Sequence, residues 1–333
     1  MMNKNILSKL LLVLIATFTL ISCETESSYE DDVPSIANIA VSNANFSVLE
    51  AAAVQGGVAV VLSNNNPNDP SGDYTVFAPT NDAFARLGLN EESLGVLQTS
   101  FLTNTLLYHV SNGNLLDASI NDGGTSASVL GINRRFIDRG NDTYINGSKI
   151  LATNISASNG TVHVIDKVMI ATGVDIVQSA IALQSAQVFK SPELSFLVEA
   201  VIYADLAGAL TASAGSPSFT VFAPTDQAFK DLGTALGLTF TVPADIRQLP
   251  KDLVATVLLN HVIGNNGKFT SELNGGTVTP LGGDDLTLGA FTNGTLTVTG
   301  QGNSQAANMV IPDVQTTNGI VHVIDRVLLP NLN

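Results

Sequence analysis

The stretch Tyr74-Thr-Val-Phe-Ala-Pro-Thr-Asn-Asp-Ala-Phe84 recurs later in the chain as Phe219-Thr-Val-Phe-Ala-Pro-Thr-Asp-Gln-Ala-Phe229. In each copy the β-favouring run Thr-Val-Phe predicts a short strand. The Ala-Pro pair that follows predicts the end of that strand, because proline cannot donate a ladder hydrogen bond. The repeat indicates that one structural unit occurs twice in the chain.

The residues after this strand predict how the chain turns. Thr80 has the identity of a helix N-cap, and Asp82 would lie in the first helical turn, where a negative charge is favoured. Pro79 and Phe84 have the spacing of a hydrophobic staple, which fixes the entry angle of a helix. The second copy keeps the cap as Thr225. We therefore expect a strand-to-helix corner in both copies.

Two further blocks recur in the same order. Leu107-Tyr108-His109-Val110 returns as Leu259-Asn260-His261-Val262, and the block 159–168 returns as 318–327 with the shared core Val-His-Val-Ile-Asp. A period of about 150 residues is far longer than a solenoid repeat and corresponds to a whole domain. The spacing between copies grows from block to block, which predicts loop insertions in the second copy.

The segments before Tyr108 and Asn260 have helical apolar spacing, whereas the closing blocks alternate as strands do. Runs rich in Gly and Asn between them predict turns. The fold class is therefore α+β, with two tandem domains at 34–171 and 173–330. Only Ala171-Thr172-Gly173 separates the last strand of the first domain from the next apolar segment, so we expect a fixed pair.

Composition limits the function classes. The chain has 333 residues, of which 45% are apolar and 13% charged, so it contains enough apolar material for folded cores. The formal net charge of −15 disfavours nucleic acid as a partner. Cys23 is the only cysteine, which excludes an internal disulfide and a thiolate metal cluster.

The N-terminus has the pattern of a secretory leader. Lys4 and Lys9 precede an uncharged apolar run at 10–21, which is too short to span a bilayer. The run ends in Leu20-Ile21-Ser22-Cys23, which resembles a lipobox. Residues 1–22 are therefore predicted to be a lipoprotein signal peptide, with Cys23 acylated. The alternative is an ordinary signal peptide with a chance cysteine.

Residues 23–33 are predicted to form an acidic tether that links the lipid anchor to the first domain. Acidic residues close behind the lipidated cysteine resemble the surface-export signals of some Gram-negative lipoproteins. Glu24 follows Cys23, in place of the Asp that retains some lipoproteins at the inner membrane. We therefore expect an outer membrane lipoprotein that faces outward and contacts the membrane through Cys23.

Taken together, the three repeated blocks resemble the fasciclin (FAS1) domain family. The resemblance covers nearly all of the chain after the leader. It implies a β-wedge or β-sandwich with several helices in each of two tandem domains. It also implies adhesion or matrix binding, without a cofactor.

In animal relatives a Tyr-His stretch and a Pro-Asp-Ile-like segment are linked to receptor binding. The first stretch is matched in copy one and only partly in copy two, where Asn260 replaces the tyrosine. The second segment is matched in copy two, whereas copy one has Asn154 in place of the acid. The resemblance gives these candidate adhesion residues, for which core and corner positions are the alternative interpretation: Leu107, Tyr108, His109, His261, Pro312 and Asp313.

Motifs for catalysis or metal binding are lacking in the sequence. All four histidines lie in the repeated blocks, and we expect them to be buried and hydrogen-bonded to the backbone. Phosphate loops, nucleophile elbows and zinc motifs do not occur. The loop 64–73 is rich in oxygen ligands, but it lacks EF-hand spacing and is better interpreted as a surface loop than as a calcium site.

The leading hypothesis is a non-enzymatic surface adhesin that binds matrix protein, another cell or a second copy of itself. A lipoprotein that captures polysaccharide is the alternative, although few aromatic side chains are available to stack on sugars. A polysaccharide hydrolase is a minor third possibility, because glycosidase carboxylates have no short motif.

Overall fold

Two β-sheets, one in each half of the chain, organise the residues that the computed structural model describes, which are 33–183, 194–211 and 218–331. The repeated strand Tyr74–Pro79 (β1) and its copy Phe219–Pro224 (β9) are buried along their whole length. The predicted leader, Cys23 and nearly all of the tether lie outside the described residues.

The first sheet has the strand order β2-β1-β7-β6-β5-β4-β3. Its β1 pairs in parallel with β7, while the other neighbours are antiparallel. The remaining strands of the first half are Val110–Asn112 (β2), Thr125–Ala127 (β3), Asn133–Arg139 (β4), Asp142–Ile145 (β5), Ser148–Ala157 (β6), Gly160–Ile165 (β7) and Ile170–Ala171 (β8).

The second sheet repeats this order as β10-β9-β15-β14-β13-β12-β11, again with one parallel pair, between β9 and β15. In addition β8, at the end of the first half, pairs in parallel with β14, so the two halves share a strand contact. The remaining strands of the second half are Val262–Ile263 (β10), Gly276–Val278 (β11), Leu286–Leu288 (β12), Thr297–Gly300 (β13), Ala307–Gln315 (β14) and Gly319–Ile324 (β15).

Helices pack on each sheet around the first strand. In the described residues they are Ile36–Ser42 (α1), Ser47–Gln55 (α2), Ala59–Leu62 (α3), Asn81–Ala85 (α4), Thr99–Tyr108 (α5), Ile176–Leu183 (α6), Ser195–Tyr203 (α7), Ala207–Leu210 (α8), Asp226–Ala235 (α9) and Lys251–Leu259 (α10). Short 3-10 helices add Ala44–Phe46, Leu94–Val96, Asp117–Ser119, Pro243–Gln248 and Thr270–Glu272.

The predicted corner is confirmed in both copies. The Thr80 side chain accepts a hydrogen bond from the Ala83 backbone N–H at 3.3 Å. Thr225 does the same for Ala228 at 3.1 Å. Each threonine thereby satisfies one of the donors that a helix start leaves open.

Corresponding positions in the two halves follow from shared hydrogen bonds. The side chain of Asn159 accepts from the N–H that begins α1, and Asn318 accepts from the N–H that begins α6. β6 and β14 also share the same register shifts next to their partner strands. The bulge places Asn154 at φ 58° and Asp313 at φ 66°, a left-handed conformation that Asn and Asp tolerate best after glycine.

Candidate functional site

Tyr108 and Asp313, which the sequence suggested for adhesion, lie where the two domains meet. The Tyr108 side chain is buried, and its hydroxyl donates to Gln315 Oε1 in the second domain. The same hydroxyl accepts from Asn146 Nδ2 at 2.8 Å. Burial raises the pKa of Tyr108 well above its ordinary value. In this arrangement Tyr108 binds the neighbouring domain and does not present a surface to a separate ligand.

Asp313 is the centre of a polar cluster between the domains. Its Oδ2 accepts from Lys167 Nζ at 2.6 Å and from Thr270 Oγ1 at 2.7 Å, and its Oδ1 accepts from the Thr270 N–H at 2.6 Å. Lys167 also donates to the Gly294 carbonyl at 2.7 Å. Burial would raise the pKa of Asp313, but the Lys167 charge and these hydrogen bonds together hold it below its ordinary value.

Arginines from β4 complete the contact. Arg135 pairs with Glu272 at 2.5 Å, and its guanidinium lies 4.7 Å from the centre of the Phe269 ring. Arg139 donates to the carbonyls of Ser271 and Leu273 at 2.8 and 2.7 Å. Charged and ring contacts from several strands thus join the two domains. That the pair is fixed stays a prediction.

We call the two sides of this contact the docking face and the receiving face. The docking face belongs to the first domain and consists of Tyr108, Arg135, Arg139, Asn146 and Lys167. The receiving face belongs to the second domain and consists of residues 267–273, Gly294, Asp313 and Gln315. The docking arginines and Lys167 were not among the candidates from sequence.

Pro312 and Leu107 lie beside this contact rather than at its centre. Pro312 lines a cleft of about 210 Å³ between the domains, together with Arg86 and Lys167. Leu107 is half-buried and packs against the core of the first domain. The adhesion role of all six candidate residues stays a prediction.

His109 and His261 occupy equivalent positions in the two domains and make the same structural hydrogen bonds. Nδ1 of His109 lies 2.7 Å from the Thr105 carbonyl, and its Nε2 accepts from the Met169 N–H at 2.9 Å. His261 repeats both bonds, to the Val257 carbonyl and from the Leu328 N–H. Each ring thus ties the end of a helix to the segment that follows β7 or β15, which leaves no ring nitrogen for a ligand.

His163 and His322 lie inside the sheets. Nε2 of His163 lies 2.8 Å from the Leu115 carbonyl, and Nε2 of His322 lies 3.0 Å from the Lys268 carbonyl. Nδ1 of His322 accepts from the Asp313 N–H at 3.2 Å. The expectation that the histidines are buried and bonded to the backbone is confirmed for all four.

Acid is expected to destabilise both domains through His109 and His261. Burial lowers the pKa of each to about 4. The unfolded chain, with histidine pKa values near 6.5, therefore binds more protons between about pH 6.5 and 4, and stability falls as the pH falls through that window. Urea unfolding at pH 7 and pH 5 should show a loss of about 2 kcal/mol for each histidine.

A His261→Gln variant serves as the control for this pH effect. It should be less stable at pH 7, because glutamine cannot make both bonds, and the second domain should lose the part of its pH dependence that comes from His261, while buried His322, whose pKa is also lowered, keeps its own part. If the wild type were equally stable at pH 7 and pH 5, the buried histidines would not be neutral in the folded protein.

The oxygen-rich loop 64–73 is held by its own hydrogen bonds. Asp69 Oδ2 accepts from the N–H groups of Ser71 and Asp73, both at 3.0 Å. Asn66 donates to the Asp73 carbonyl at 2.8 Å and accepts from the Asn68 N–H at 2.9 Å. Asp69 Oδ2 and Asn66 Oδ1 are therefore already engaged by backbone N–H groups of the loop. Within the described ranges no group of three or more His, Cys, Asp or Glu side chains is placed to hold a metal ion.

Calcium is expected to leave the melting temperature of the protein unchanged. A calcium ion would need the oxygens of Asp69 and Asn66 that the loop backbone already occupies. Scanning calorimetry with added calcium and with a chelator tests this. A calcium-dependent rise that Asp69→Asn abolished would show that the loop rearranges to bind the ion.

Each domain also contains an apolar pocket beside its first strand. The pockets measure about 90 and 100 Å³ and lie between the opening helices of the domain and β1 or β9. His109 and His261 contribute to their walls, but the ring nitrogens are used as described above. Among the described residues, no helix has the length and apolar character required to cross a membrane.

The two halves of the chain share the strand-to-helix corner, the bulge and the hydrogen-bonded histidines. They are therefore two copies of one α+β domain. The chain belongs to the fasciclin domain family, whose family model matches residues 44–171 and 192–330. The family expected from the sequence blocks is confirmed.

Similar proteins come from bacteria and animals. The chain is 34% identical over 142 residues to protein sll1483 of Synechocystis, covering 42% of this chain and 75% of that protein. It is 30% identical over 266 residues to periostin of Homo sapiens, covering 78% of this chain but only 29% of periostin. A FAS1 domain pair from the insect cell adhesion molecule fasciclin I matches 77% of this chain and 88% of that one, with 19% identity and a TM-score of 0.39.

Proposed function

We propose that this protein is a non-enzymatic adhesion lipoprotein of the outer membrane. Acylated Cys23 would anchor it, and the acidic tether would hold the two domains outward to bind a matrix protein or another cell surface. Membership of the fasciclin family supports this proposal. The contacts between the two domains support it as well, because domains held together present their surfaces in a constant orientation.

One observation carries the proposal: the first domain has an uncovered copy of the receiving face. We call this copy the open face and define it as residues 116–119 with Asn154 and Ser156, and we include exposed Leu151, which lies on the same strand as Asn154. Leu116 is 46% exposed, whereas its counterpart Phe269 in the second domain is 2% exposed and has Arg135 of the first domain over its ring. The same kind of surface that binds a protein domain in one copy is thus free in the other.

The direct test is binding of the purified chain to immobilised matrix proteins, to intact bacteria and to a polysaccharide panel. We expect saturable binding to protein or to cells. Leu151→Lys, on the open face, should weaken it at least about tenfold, as a charge in an apolar contact does. Leu236→Lys is the matched control. Both leucines are about half exposed, and Leu236 lies at the C-terminal end of α9 in the second domain, outside the open face.

Other outcomes of this assay are equally informative. Binding to polysaccharide alone would replace adhesion with glycan capture. Release of sugars from a polysaccharide by the purified chain would overturn the non-enzymatic assignment. Equal loss of binding in both leucine variants would mean that the open face is not the adhesion site.

The anchor has its own test. Cells fed a labelled fatty acid should label the wild type but not a Cys23→Ser variant, and the variant should leave the membrane fraction. Protease added to intact cells should cut the wild type if it faces outward. A chain that stayed uncut until the cells were lysed would contradict the outward orientation.

A further inference from the structure

The contact between the two domains uses only half of the faces that the chain contains. Because the domains are copies, the second domain carries its own version of the docking face, and the first carries the open face. In the second domain Asn260 stands at the place of Tyr108, and Arg326 at the place of Lys167. Neither face is covered by the described residues of the other domain in the way that its counterpart is.

The charged centre of the contact is preserved in these free faces, although its residues differ. Arg326 keeps the positive charge of Lys167. On the open face Asn154 replaces Asp313, but Asp117 replaces Thr270. Lys167 Nζ lies within hydrogen-bond distance of both Asp313 and Thr270 Oγ1, at 2.6 and 3.1 Å. A cation placed on the open face as Lys167 Nζ is placed on the receiving face would therefore contact the carboxylate of Asp117.

The second ion pair of the domain contact, Arg135 with Glu272, has no counterpart on the free faces, because both of its members are replaced there. The strand ladder from β4 to β6 matches the ladder from β12 to β14, which places exposed Thr287 where the first domain has Arg135. Glu272, the partner of Arg135, is replaced on the open face by Ser119. Loss of both members leaves no buried charge without a partner, which keeps the two faces compatible.

A donor on the free docking face also lacks a partner. Nε of Arg326 is buried without a hydrogen bond in the described part of the chain, whereas Asn260 is 0% exposed and lies beneath the surface of this face. Arg326 donates from Nη2 to Gln305 at 2.8 Å. Buried donors and acceptors are seldom left unpaired in a finished structure. The counterparts Tyr108 and Lys167 bond across the domain contact.

We propose that a second copy of this chain binds head to tail, with the free docking face around Arg326 seated on the open face of the next copy. The contact repeats the one inside the chain, with Arg326 and Asp117 as its ion pair. Unlike faces meet in it, so the association does not close after two copies and builds open chains. This inference rests on the proposal that the open face binds protein, and it names the partner.

Single-face variants test this directly. Asp117→Lys blocks the open face, and Arg326→Glu blocks the free docking face. In sedimentation of the full-length chain in detergent, the wild type should grow in size with concentration, while each variant stays monomeric. A mixture of the two variants should again grow in size with concentration, because the two charge reversals complement each other and restore the ion pair with its signs exchanged. Arg247→Glu, on an exposed arginine outside both faces, should behave as the wild type.

Because Arg326 is partly buried, a second pair of changes keeps the test valid if Arg326→Glu does not fold. Thr287→Arg and Ser119→Glu, both at exposed positions, would restore the missing ion pair between copies. Together they should tighten self-association by about tenfold, whereas either alone should not.

Several results would overturn the inference. They are a wild type that stays monomeric up to about 1 mM, single-face variants that still dimerise, or a variant mixture that does not. A monomeric wild type that still bound matrix protein or other cells would refute self-association and leave the adhesion proposal standing. Self-association without binding to any cell or matrix target would refute the adhesion proposal and leave the self-association standing.

Discussion

Replacing Arg134 with methionine is expected to lower the free energy of unfolding of the first domain by about 3 to 4 kcal/mol. Arg134 is 0% exposed, and its hydrogen-bond partners in the described residues are all neutral. It donates to the carbonyl of Tyr108 at 2.8 Å, at the C-terminal end of α5, where a positive charge is favoured. Burial lowers the pKa of the guanidinium to about 10, so it stays charged at neutral pH.

Methionine would fill most of the space but donate nothing. The hydroxyls of Ser111 and Ser126 and the Tyr108 carbonyl would then lose a buried donor. The contacts of the guanidinium with the Phe77 and Tyr108 rings, at 5.0 and 5.9 Å from the ring centres, would be lost too. Each unsatisfied buried group costs about 1 to 3 kcal/mol, and the losses are not fully additive.

Urea unfolding measures the change, and Arg247→Met is the matched control. Arg247 is 56% exposed in its side chain and pairs with Glu199 at 2.6 Å, so its loss should cost less than about 1 kcal/mol. Equal effects in the two variants would mean that the buried network around Arg134 contributes nothing beyond an ordinary surface pair.

The burial of Arg134 shows where sequence reasoning stops. Its neighbours Arg135 and Phe136 are typical of a strand, and alternation puts Arg134 and Phe136 on the same face. Nothing local indicates that this face is the core, because an arginine is rarely buried without a carboxylate. The serines that accept from it lie on β2 and β3, and only the assembled sheet brings them together.

Local features, by contrast, were predicted correctly. The caps at Thr80 and Thr225 depend on residues within one turn, and the sequence contains all of them. The candidate residues Tyr108 and Asp313 were picked from a resemblance, and their place between the domains was not foreseen. Their partners Gln315 and Lys167 lie far away in sequence, so no spacing rule connects them. The short linker predicted a fixed pair, but not which faces would meet.

Replacing Asp313 with asparagine is expected to destabilise the domain pair by about 3 to 5 kcal/mol. Lys167 and Asp313 have side chains that are only 8% and 11% exposed, so the change strands a nearly buried cation. Asparagine keeps an oxygen for the Thr270 N–H, which limits the damage to the charge. The pair Lys167→Met with Asp313→Asn should recover most of the loss, because no charge is left unpaired.

The pH dependence of the Asp313 effect follows from its lowered pKa. The unfolded carboxyl titrates near 3.9, so the contribution of the ion pair is complete above that pH and is lost as the pH falls through the lower folded value. The wild type should therefore lose this contribution below about pH 4. The double variant has no carboxylate at this site and should not show that part of the acid sensitivity.

A double-mutant cycle on urea unfolding separates the ion pair from the other contacts of the two side chains. Asn154→Asp is the matched control, since position 154 holds the same bulge in the first domain without a covering lysine, and the change should stay within about 0.5 kcal/mol. Independent unfolding of the domains in Asp313→Asn, where the wild type unfolds in one transition, would identify the pair as the link between them. A coupling energy near zero would instead assign the link between the domains to the Arg135 and Arg139 contacts.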